Sequence, residues 1–152
     1  MPRLGDRFPE GARRAYINER LVPGAVLRLY CQFIDPPKEK YLILACVDPE
    51  SLLFFVNSEV HPFIQSRPDL AKCQVALRAS DCGFLDHDSF ADCSHVIRLS
   101  HDEDILTELL NNTAGIVDQL PRHVMDDILR VVRMARTIAA ADKRAIEAAL
   151  AT

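Results

Sequence analysis

The sequence predicts an α+β domain, with a small antiparallel β-barrel over residues 22–99 and helices over residues 100–151 packed against it. Three β-rich runs, Ala25–Phe33, Tyr41–Val47 and Leu52–Val56, lie between Pro23-Gly24 and Asn57-Ser58, broken only at Asp35-Pro36-Pro37 and Asp48-Pro49. Connections that short join antiparallel neighbours, because parallel strands need a crossover of about a dozen residues or more. From Ser100 onward the apolar spacing changes to that of a helix. A chain of 152 residues is one domain in length, and at that size roughly two thirds of the unfolded surface is buried without help from a metal or disulfide.

Taken in order, residues 1–21 are rich in arginine and read as an N-terminal arm, with a helical turn or two around Ala12–Leu21. Residues 22–151 read as a single domain. After the opening meander, Glu59–Leu70 contains His61-Pro62 and Arg67-Pro68, and the residue before each proline is pushed out of helical geometry, which predicts a long connection. Lys72–Arg78 alternates, with Cys73, Val75 and Leu77 on one side and Gln74 and Ala76 on the other, as a half-buried strand does. Two further short strands are expected, from Phe84-Leu85 to Phe90 and over His95–Leu99. About six strands of modest length curl into a barrel more readily than they lie flat.

Ser100-His101-Asp102-Glu103 has the form of a capping box, and Ile105, Leu106, Leu109 and Leu110 follow at helical spacing. Asn111–Gly115 supplies the turn chemistry that ends this helix. Pro121 sits where a first helical turn tolerates proline, and Val124, Met125, Ile128, Leu129, Val131, Val132 and Ala135 form a broad apolar stripe. A third helix opens at Thr137 or Ala139 and runs to about Leu150, with Ala141, Ala145, Ile146, Ala149 and Leu150 facing inward.

Composition narrows the class. Apolar residues make up 49% and charged ones 26%, too apolar for a disordered chain. There is no apolar run of about 18 residues, and Met1–Arg7 lacks the apolar centre of a signal peptide, so a cytoplasmic protein with no membrane partner is expected. The five cysteines are odd in number and irregularly spaced, which predicts reduced thiols, with Cys31 and Cys46 packed inside strands. Charge is uneven along the chain. Residues 1–20 hold five arginines against three acids, residues 121–152 six cations against four acids, and residues 21–120 seven cations against fifteen acids. A segment with eight surplus negative charges is a poor generic nucleic-acid surface, so any RNA site requires a local basic patch.

Asp81, Cys82, Asp86, His87, Asp88, Asp92, Cys93 and His95 crowd one segment, yet Cys82 and Cys93 are too far apart for the paired spacing of zinc sites. Asp86-His87-Asp88 reads more simply as an exposed acidic turn, and no metal ligand is assigned. Ser89, Asp92 and either His87 or His95 make a hydrolytic triad only on paper, because triads are defined by geometry and no nucleophile elbow is present. The scattered glycines form no phosphate loop.

Pro23-Gly24 before the first strand, the charged Lys38-Glu39-Lys40 leading into Tyr41-Leu42-Ile43-Leu44, and a strand ending in Val56-Asn57-Ser58 resemble the opening of MazF/PemK-type toxins. Ser89–Cys93, the acidic helix start, Gly115 and the final apolar helices resemble that family's second half. The resemblance implies an SH3-like barrel, a homodimer, an antitoxin partner, and metal-independent cleavage of single-stranded RNA with no cofactor. By position Lys40 and Ser58 stand as the catalytic pair, with Asn57 beside Ser58 as a substrate-binding residue. Arg28 projects from the first strand and either reaches the same groove, as a second substrate-binding residue, or lies on the solvated face. Lys40 replaces the family's arginine, and its point charge does not copy a planar guanidinium on phosphate. Tyr41 replaces the following proline, and Asp35–Lys40 is shorter than the family's substrate-gripping loop. Lys40 also reads as a solvated loop lysine, and Ser58 as a turn hydroxyl. A second reading, from the acidic middle segment, is a non-catalytic module that binds a protein through a strand edge or rim.

Overall fold

The computed structural model describes residues 9–151. It is an α+β domain whose curled antiparallel sheet is covered by helices. Strands β1 (Ala25–Cys31), β2 (Lys38–Cys46) and β3 (Ser51–Asn57) form the expected meander. β1 pairs with β2 through Arg28 opposite Tyr41, and β2 pairs with β3 through Tyr41 opposite Val56. Gly24 starts it. Its φ of +95° lies where a side chain is strained, and this turn lets the Gly24 N–H donate to the Leu44 carbonyl at 2.7 Å.

The connection after β3 contains two short helices, α2 (Pro62–Gln65) and α3 (Pro68–Ala71), each opened by its proline while the preceding residue stays extended. β4 (Gln74–Leu77) buries Val75 and Leu77, with Cys73 buried just before it. The next expected strand is shorter than predicted: Phe84–Asp88 is loop, and β5 begins at Ser89 and ends at Asp92. β6 covers only Ile97–Leu99. β5 and β6 lie end to end along the same edge of β3.

A strand that the sequence did not announce, β7 (Ile116–Gln119), pairs antiparallel with β1. Hydrogen bonding runs in the order β4-β5-β3-β2-β1-β7, with β6 beside β3. Among the described residues no ladder joins β4 to β7, so the curl stops short of a closed barrel.

Alternation divides the sheet between two cores. Val26, Ile43, Phe54, Val56, Val75 and Ala91 pack with α5 (Arg122–Met134) and α6 (Ala140–Leu150), through Val124, Ile128, Val132, Ile146 and Leu150. Leu27, Leu29, Leu42, Leu44 and Leu53 pack on the opposite face with α1 (Glu10–Arg20) and with a π-helical turn, His101–Leu106, that leads into α4 (Thr107–Asn111). The segment expected as an arm is therefore an eleven-residue helix over much of its length. Ile17 is its anchor, fully buried, and Arg13 donates to the Leu110 carbonyl at 2.5 Å. The remainder of the expected arm, residues 1–8, lies outside the described residues.

Two local expectations are corrected. Ser100 Oγ accepts from the Glu103 N–H at 3.2 Å, but the return bond comes from Asp104, whose carboxylate accepts from the Ser100 N–H at 2.7 Å. The wider π turn brings Asp104 into that place. In α6, Ile146 and Leu150 are buried whereas Ala141 is exposed, because the helix starts at Ala140 and its first turn overhangs the core. All five cysteines are free and buried. No helix among the described residues is long and apolar enough to cross a membrane.

Candidate functional site

Period-two geometry also decides which polar side chains meet. Arg28, Tyr41 and Val56 are cross-strand partners in one row, and Ser58 follows Val56 by two residues, on the same face. Lys40 and Asn57 occupy the alternate positions. Lys40 Nζ donates to Asn57 Oδ1 at 2.7 Å and stands 5.6 Å from the centre of the Phe55 ring, so its ammonium is committed to the opposite face. The four candidate positions therefore divide into two pairs, Arg28 with Ser58 and Lys40 with Asn57. Burial, then the neighbouring Lys38 ammonium, lowers the Lys40 pKa from the usual lysine value.

The Arg28 face opens into a groove of about 400 Å³. Arg28, Glu39, Tyr41 and Ser58 form one wall, with Lys38 and Lys40 along its border, and Phe84, Leu85, Asp86 and His87 form the other. The second wall belongs to the loop between β4 and β5. That loop is fixed by the buried Cys82, whose N–H donates to the Arg78 carbonyl at 3.0 Å, and by Asp88, which accepts from the Ala79 N–H at 2.9 Å. Phe84 meets Tyr41 edge-on at 5.1 Å, closing one end of the groove with aromatic rings.

Charge in the groove is balanced, with Arg28 and Lys38 against Glu39 and Asp86, the Lys40 ammonium being turned to the opposite face. Arg28 is its centre. Nε lies 3.8 Å from the Glu39 carboxylate, beyond hydrogen-bond reach, and is buried without a hydrogen-bond partner. A guanidinium with a donor free of hydrogen bonds, beside an exposed hydroxyl and an imidazole, can present its planar fork to two oxygens of an anion such as phosphate.

The crowded acidic segment disperses in three dimensions. Asp81 faces His123 at 3.4 Å, Asp92 accepts from Gln74 at 2.8 Å and from the Ser94 N–H at 3.0 Å, and Cys82 and Cys93 are core residues. Among the described residues no three of these side chains come together as metal ligands. Ser89 is buried and its hydroxyl donates to the His87 carbonyl at 3.1 Å, not to an imidazole, so it is no activated nucleophile. Sequence reasoning placed His87 in an acidic turn and Phe84 in a strand. The one sequence signal for their shared site was the long polar break between two short strands. Compared with known proteins, the chain matches no family model and no curated protein.

Proposed function

We propose that the Arg28 groove binds single-stranded RNA and that the chain acts as a MazF/PemK-like, metal-independent endoribonuclease. The observation that carries this reading is the buried Nε of Arg28, ion-paired with Glu39 at 3.8 Å but without a hydrogen-bond partner, in a groove that also holds Ser58, His87 and the Tyr41–Phe84 ring pair. The guanidinium that the resemblance calls for at position 40, where this chain has lysine, is supplied from β1 by Arg28. On this reading the curled sheet is an SH3-like half-barrel left open between β4 and β7, and a cytoplasmic homodimer with an antitoxin partner belongs to the same picture.

Each part has a chemical role. A base stacks against the aromatic pair, which gives sequence-tolerant affinity for unpaired strands. Arg28 binds the scissile phosphate and meets the charge that grows on its oxygens as the adjacent 2′-hydroxyl attacks. His87 takes the 2′-hydroxyl proton, the P–O5′ bond breaks as the 2′,3′-cyclic phosphate forms, the departing 5′-oxygen recovers a proton from the imidazolium, and Ser58 positions the phosphate. Glu39 and Asp86 keep the groove from accumulating positive charge, so affinity depends on stacking as well as on phosphate.

End-labelled, mixed-sequence single-stranded RNA incubated with the protein in a chelator tests this directly. Shortened products are expected from the native chain and from Lys40→Ala, and not from Arg28→Gln or His87→Ala. Intact RNA with no measurable retention by the native protein would remove the proposal.

A further inference from the structure

A second groove, of about 240 Å³, lies on another part of the surface, between the end of β1 with its following turn and the π-turn–α4 segment. Its chemistry is the reverse of the first. Glu103, Asp104 and Glu108 line it, and its lining holds no lysine or arginine. Asp104 already accepts from the Ser100 N–H, whereas Glu103 and Glu108 have no ion pair among the described residues. The π turn sets this spacing: bonds reaching five residues back bring residues five apart onto one side, as Thr107 Oγ1 shows by donating to the Asp102 carbonyl at 2.9 Å.

The opposite wall is aromatic. Tyr30 is 47% and Phe33 54% exposed, and Phe33 is held in place by stacking on Phe55 at 6.0 Å between ring centres. Both rings line the same groove as the carboxylates. Cys31 at its base is buried, and that burial raises its thiol pKa, with the Lys40 ammonium lowering it and Glu108 raising it.

We propose that this groove docks a basic peptide segment of a partner protein, its arginines or lysines on Glu103 and Glu108 and an apolar side chain on Phe33 and Tyr30. Charge complementarity selects the occupant. Three carboxylates repel a phosphate backbone, so nucleic acid is excluded. Planar guanidinium forks match exposed carboxylates, and exposed rings lose water only against an apolar anchor. The proposal is independent of the RNA reading, since none of these residues lines the Arg28 groove.

The probe is a fluorescein-labelled synthetic peptide alternating arginine and leucine, titrated against the full chain by anisotropy, beside one with glutamate for arginine and one with serine for leucine. Binding of the arginine–leucine peptide is expected, with loss of about tenfold in affinity in Glu103→Gln/Glu108→Gln and again in Phe33→Ser. Circular dichroism and thermal unfolding of both variants should match the native chain, since Glu103 and Phe33 are exposed and the half-buried Glu108 makes no ion pair among the described residues. Failure of the native chain to bind overturns the proposal, as does equal binding of the arginine–serine peptide, or binding indifferent to the variants. Sedimentation that shows a dimer dissociated by Phe33→Ser would assign the groove to a second copy and overturn it equally.

Discussion

Replacing Arg28 with glutamine should separate the fold from the site. Its contribution to folding is small by construction: its side chain is 35% exposed, and Glu39, at 3.8 Å, is 59% exposed. Such solvent-screened pairs contribute roughly 0–1 kcal/mol. Its Nε makes no hydrogen bond, so truncation removes a desolvated donor without breaking a bond. The unfolding free energy in urea should therefore change by less than about 1 kcal/mol. A charge-assisted bond from Arg28 to phosphate is worth about 1.5–3 kcal/mol, which corresponds to a loss of roughly 10- to 150-fold in affinity. Anisotropy with labelled single-stranded RNA across a salt series reads it, and the dependence of log K on log salt should flatten by about 0.7, one contact's worth of counterions. Unchanged RNA affinity, or a folding loss above about 2 kcal/mol, would refute the assignment of Arg28 to a ligand.

Lys40→Met should leave RNA cleavage intact, because the Lys40 ammonium bonds Asn57 on the opposite face. Its native pKa is lowered, chiefly by burial, so the unfolded chain holds more protons in the window between the native and unfolded values, and stability from this group rises with pH through that window. Urea unfolding across alkaline pH should show that gain in the native chain and not in the variant. Gly24→Ala should cost about 2–3 kcal/mol, from a positive φ that strains any Cβ and from displacement of Gln119, whose Nε2 bonds the Pro23 carbonyl at 3.2 Å. A native-like urea midpoint would contradict it. The buried thiols have raised pKa values, burial being the first cause in each, with Cys93 raised furthest. A colorimetric thiol reagent should thus react only as the chain unfolds, and the stability these thiols contribute should be lost as pH climbs above the unfolded thiol value. Rapid labelling of the folded chain would contradict this.

Much of the fold was legible locally. The three strands of the meander, the alternation of Cys73, Val75 and Leu77, and the stripe from Val124 to Val132 announce themselves through period and turn residues. β7 does not, because Ile116-Val117-Asp118-Gln119 is too short to show a period and becomes a strand only where β1 offers an open edge. The first helix was understated for a related reason. Glu10–Arg20 buries Ile17 alone along its length, so its sequence looks polar and only the docking surface from α4 and the sheet makes it a layer.

By itself the sequence determined that the pairing of the opening strands is antiparallel, that the segments around residues 100–110 and after Pro121 are helical and that Cys31 and Cys46 pack as small apolar groups, since each follows from spacing between near neighbours. The site needed the tertiary structure. Arg28, Lys40, Asn57 and Ser58 stand at plausible distances along the chain, yet cross-strand register sends two of them to each face, and a one-residue difference reverses a side chain. His87 and Phe84 reach Arg28 only because a loop anchored by Cys82 folds back over the end of β2. Which groups share a groove is a property of pairing and loop closure between distant segments, and no local pattern encodes it.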